Sequence, residues 1–124
     1  LLGKAVLGIS ALAFITYGLV SVVSPEVPAG FAGLEMGSGD AFVEITAMYG
    51  GLQTGVGFFC LLALLRSEFY RPGLVALVLG IGTLAFARLF GLVMTTEAVT
   101  SYTYGALIYE FSTAALAVVA LLRK

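Results

Sequence analysis

Four uninterrupted apolar blocks constrain this chain more than any other feature. They run from about Gly3 to Val23, Phe42 to Leu65, Gly73 to Met94 and Tyr104 to Leu122. Each has the roughly 17–25 residues that a helix needs to cross a hydrocarbon core about 30 Å thick. Lipid offers the backbone no hydrogen-bond partner, so a spanning segment must satisfy its own amides. A continuous block of this length does so as a helix. Composition agrees: 60% of the 124 residues are hydrophobic and 10% are charged, against about 25% charged in a soluble domain. The predicted fold class is therefore all-α: a polytopic membrane protein with four transmembrane helices in an antiparallel bundle, forming one domain over residues 1–124. The first block reads as a span and not a cleaved leader, because it lacks a small-residue cleavage motif and further spans follow.

The connectors carry most of the charge. "SPEVPAGFAGLEMGSGD" (24–40) is a Pro- and Gly-rich loop with a short interfacial turn expected around Phe31 to Met36. "RSEFYRP" (66–72) is a tight charged turn in which Pro72 suits the first turn of the third helix, where a missing N–H costs nothing. "TTEAVTSYT" (95–103) is a polar connector. Four crossings put Lys4, Arg66, Arg71, Arg123 and Lys124 on one side, and Glu26, Glu35, Asp40 and Glu97 on the other. The excess of basic residues marks the cytoplasmic side, so both termini are expected there and the long loop outside.

Several function classes are disfavoured. A net charge of −1 gives no basic surface for nucleic acid. With no His, and Cys60 as the single cysteine, a disulfide, a cysteine- or histidine-based metal centre and an imidazole proton shuttle all lack their residues. No catalytic residue, metal or obligatory cofactor is predicted. A bound lipid or quinone stays open.

Arg88 is the residue that needs explaining. It lies in "GTLAFARLFGLVM" (82–94), and its guanidinium cannot shed its charge. It sits six residues, or about 9 Å, before the outer end of the third span. Glu110 lies at a similar depth on the fourth span, and Glu44 near the outer start of the second. A charge facing lipid at depth costs several kcal/mol, so the three are expected to turn inward, with an Arg88–Glu110 ion pair and Glu44 as second partner. Tyr49 and Gln53 share the polar face of the second span with Thr46, Gly50 and Gly57, and Ser10, Tyr17 and Ser21 form a stripe on the first. Tyr109 adjoins Glu110. Gly50, Gly51, Gly55 and Gly57 are expected to pack helices closely, and Cys60 to be an inert packing residue.

"EITAMYGGLQTGVGFFCLLAL", "FARLFGL" and the late "YEF" resemble a family of small bacterial four-helix membrane proteins of unknown function, distantly similar to the DoxX-like membrane proteins. The resemblance covers nearly the whole chain. It is most specific at E-I-x-A-M-Y-G-G, carried by Glu44, Ile45, Ala47, Met48, Tyr49, Gly50 and Gly51. Arg88 matches the family's intramembrane arginine and Glu110 its late glutamate. Thr46 stands where members often carry a second arginine, and "TTEAV" where they often carry Asp-Gly. The resemblance implies a four-helix fold in a bacterial inner membrane without naming an activity. The DoxX-like relatives imply a remote link to oxidoreductase complexes and quinones.

Two readings of function follow. One is a non-enzymatic accessory or scaffold subunit packed against a larger membrane complex or another copy of itself. The other is a membrane-embedded binder of a lipid, quinone or similar amphiphile at the outer Arg/Glu cluster. Enzyme or carrier chemistry through the paired glutamates is the weakest reading, because no cofactor motif or inverted repeat accompanies them.

Overall fold

The computed structural model describes residues 1–123, so Lys124 and its part in the orientation argument lie outside the described residues. The chain is helical over 86% of its length, with no strand among the described residues. We label the helices α1 (Leu2–Val23), α2 (Glu26–Ala32), α3 (Gly39–Leu65), α4 (Ser67–Met94, opening with a 3-10 turn) and α5 (Ser101–Leu122). Among the described residues four of them, α1, α3, α4 and α5, are long and apolar enough to cross a membrane. This is a multi-pass membrane protein.

The C-terminal ends of these helices fall where the apolar blocks end. Their N-terminal ends begin one to six residues earlier, because polar residues outside the apolar run start the helix. The Ser38 hydroxyl accepts from the Ala41 N–H at 3.1 Å ahead of α3, and the Thr100 hydroxyl from the Tyr102 N–H at 3.3 Å ahead of α5. Each satisfies one of the amides that a helix start leaves open. In the long loop the short helix is α2, not a turn at 31–36. Gly33 ends it with φ 71°, the left-handed region that favours glycine, and Leu34 N–H reaches back to the Ala29 carbonyl at 2.8 Å.

Two helices depart from α geometry in mid-course. Thr46–Leu52 in α3 and Leu77–Ile81 in α4 are π-helical. A π turn takes in an extra residue, so side chains beyond it are rotated relative to a continuous 3.6-residue pattern. The buried positions of α3 show the step: Ile45 is followed by Gly50, five residues on, and then by Gly57, Cys60 and Ala63.

The chain forms two compact units. In the first, Gly8–Leu62, α1 and α3 meet along glycines. A Cβ at Gly57 would lie 2.7 Å from the Ile15 amide nitrogen, one at Gly18 2.6 Å from that of Thr54, and one at Gly50 2.9 Å from that of Val22. Only bare backbone fits at such separations. Contact positions rise along α1 as they fall along α3, so the two helices are antiparallel. With little hydrophobic drive between helices in lipid, close backbone approach is what holds such a pair.

The second unit comprises Leu1–Leu7 and Ala63–Lys124. Here Gly73 faces Ala63 and Leu7, and Gly82 faces Ala114. Arg71 Nη2 donates to the Leu121 carbonyl at 3.1 Å. Contact positions again run in opposite senses along α4 and α5. The buried residues of α5, Leu107, Glu110, Thr113, Ala117 and Ala120, recur every three or four positions and form one face. Glu110 is the second of the five along that face.

Candidate functional site

α4 carries Arg88 and α5 carries Glu110, and the two meet side chain to side chain. Arg88 Nε donates to Glu110 Oε1 at 2.9 Å, and Nη2 donates to Oε2 at 2.9 Å. Both carboxylate oxygens are engaged by the planar guanidinium fork, the strongest common geometry for such a pair. The side chain of Glu110 is 8% exposed and that of Arg88 25% exposed. Small neighbours admit the contact: Ala85 one turn before Arg88 and Thr113 one turn after Glu110 are buried. Two positions before Arg88 and one after Glu110, Phe86 and Phe111 pack edge to face with ring centroids 5.1 Å apart, a geometry that suits aromatic quadrupoles.

Glu44, Tyr49 and Gln53 belong to the first unit. Glu44 is exposed and Tyr49 half-buried. Together with Leu34, Glu35, Ile45 and Met48 they line an open, mostly apolar cleft of about 370 Å³. Gln53 is half-buried one position before Thr54, whose hydroxyl donates to the Gly50 carbonyl at 2.7 Å. Of the four glycines of α3, Gly50 and Gly57 lie against α1, whereas a Cβ at Gly51 or Gly55 would meet open space among the described residues. The G-x-x-x-G spacing of Gly51 and Gly55 therefore does not form the seam; Gly50 and Gly57, seven residues apart, form it instead. Tyr109 is half-buried beside Glu110. Ser10, Ser21 and Cys60 are buried.

Sequence reasoning missed the π stretch that carries Tyr49. Its signal was present in the adjacent pair Gly50 and Gly51, which weakens α-helical preference in mid-span. Such stretches are frequent at functional positions, and here one sets the direction of Tyr49 relative to Glu44.

The pair generates a prediction about stability. Glu110→Gln removes the carboxylate charge and leaves the guanidinium without it. Breaking a buried pair typically costs about 3–5 kcal/mol, and the partial exposure of Arg88 puts the expected loss near the lower figure. Thermal unfolding in mild detergent, followed by a thiol-reactive dye at the buried Cys60, should show a clear drop in midpoint. A midpoint equal to that of the unaltered protein would contradict the structural role of the pair.

A family model, the domain of unknown function DUF4345, matches residues 2–121, and the chain belongs to that family. No curated protein and no solved structure matches it significantly.

Proposed function

We propose that this DUF4345 protein is a non-enzymatic membrane subunit that works by packing against a larger membrane assembly. The observation that carries this reading is the surface of α4. Phe86, Phe90 and Val93, spaced at i, i+4 and i+7, stand outward at 65%, 67% and 73% exposure. This spacing makes one continuous apolar ridge, beside a charge pair that is already neutralised from within. Aromatic ridges of this kind supply contact area at low entropic cost. Arg88 and Glu110 then act inside the membrane as the clamp that fixes α4 against α5 and so presents the ridge.

Purification of the native protein in mild detergent, with mass spectrometry of what accompanies it, tests this. A stoichiometric larger complex is expected. Phe90→Ala with Val93→Ala leaves the Phe86–Phe111 contact in place and should release it without lowering the unfolding midpoint of the protein itself. A protein that runs alone, or a complex indifferent to both substitutions, would count against the subunit role.

A second reading has its own support. The cleft of Glu44 and Tyr49 is open and apolar, with a carboxylate and a phenol at its edge, and suits an amphiphile such as a lipid or quinone. A lone protein that carries a stoichiometric amphiphile, lost in Tyr49→Ala, would favour this reading over the first.

The orientation we propose sets the basic ends of the helices in the cytoplasm of a bacterial cell and the loop of α2 outside the inner membrane. Gly37 is exposed, with open space around it. A cysteine there, in a Cys60→Ala background, should react with an impermeant thiol reagent on intact spheroplasts. Labelling that appears only after the membrane is opened would reverse the orientation.

A further inference from the structure

The start of α4 and the end of α5 form a second cleft, of about 520 Å³, within the unit that holds the ion pair. Leu2, Gly3, Tyr70, Arg71, Ala120 and Arg123 line it. Its charge has one sign. Arg71 and Arg123 both belong to its wall, and no acidic residue does among the described residues. Glu68, in the adjoining turn, is taken up by Arg66, with Nη2 and Oε1 3.0 Å apart.

The cleft is built, not merely charged. Arg71 Nη2 donates to the Leu121 carbonyl at 3.1 Å, one of the last-turn carbonyls that lack a partner inside the helix. That bond holds one edge of the guanidinium and leaves Nε and Nη1 as donors. It also offsets the negative end of the α5 dipole, which would otherwise repel an anion. Tyr70 lies with its hydroxyl against the backbone of Gly3, where any Cβ would collide with it. Leu2 and Ala120 continue the wall as apolar surface toward the spans.

We propose that this cleft binds the phosphate of an anionic membrane phospholipid, with Arg71 and Arg123 on the phosphate and the apolar wall along the first carbons of the acyl chains. The chemistry is that of a phosphate ester. The lipid source is favoured by position, because the cleft lies where the span α4 begins and the span α5 ends, the level at which headgroups sit. Basic pockets between spanning helices at this level are suited to lipid headgroups. This inference does not depend on the packing role proposed above.

The full chain in mild detergent, unfolded thermally with the dye at Cys60, is titrated with phosphatidylglycerol, with phosphatidylcholine and with soluble glycerol phosphate. Phosphatidylglycerol should raise the midpoint in a saturable way and phosphatidylcholine should not. Each arginine near a membrane surface is worth about a fivefold change in affinity. Arg123 is exposed at the end of α5, so Arg123→Gln should fold normally and weaken phosphatidylglycerol about fivefold, and the double variant with Arg71→Gln about 25-fold. Arg66→Gln, outside the cleft, should bind as the unaltered protein does. Equal stabilisation by phosphatidylcholine, or unchanged affinity in Arg123→Gln, would overturn the proposal. Saturation by glycerol phosphate at the same concentration would show a soluble anion as the ligand and overturn the lipid assignment.

Discussion

A guanidinium that cannot lose its proton, placed on an apolar helix, forces a choice on the rest of the chain. Either a carboxylate meets it or the helix cannot sit in lipid. Glu110 meets it with both oxygens at 2.9 Å. This single contact fixes the rotation of α4 and of α5 about their own axes and the register between them. Hydrophobic burial could not do so, because in lipid an outward leucine and an inward one are nearly equivalent. The outward stand of Phe86 and Phe90 and the inward stand of Ala85 and Leu107 follow from the same rotation.

The unit of α1 and α3 solves the same problem without charge. Its register comes from places where only glycine fits: Gly18 against Thr54, Gly50 against Val22 and Gly57 against Ile15. Gly50 and Gly57, seven residues apart and so on one helix face, lie toward α1, although Gly51 and Gly55 have the more familiar spacing. A polar contact specifies one helix pair and steric fit specifies the other. The chain thus needs little polar material inside the spans, which leaves most of its charge for the helix ends.

What the sequence made legible follows from the strength of each signal. Spans were legible because lipid imposes length and hydropathy together, and their C-terminal ends coincide with the last apolar residues. Arg88 and Glu110 could be placed at one depth by counting residues, and the structure joins them. The helix starts were less legible, because capping by Ser38 and Thr100 acts outside the apolar run. The inward glycines of α3 were not separated from the outward ones, because spacings of seven and of four residues each keep a pair on one helix face. Arg71 and Arg123 were read only as markers of orientation. That they share a cleft is a fact of tertiary approach, fifty-two positions apart in sequence.

The central claim is that Arg88 and Glu110 act as one unit, and a double-substitution cycle measures it most directly. Arg88→Met and Glu110→Leu are made singly and together, and unfolding free energies are compared in one detergent. The account predicts that each single change is costly and that the double variant recovers much of the loss, with a coupling at the upper end of the roughly 0.5–3 kcal/mol seen for contacting residues. This recovery is expected because an apolar pair of similar volume can replace a buried ion pair, whereas half of one cannot stand alone. A double variant whose loss equals the sum of the two single losses would contradict the account.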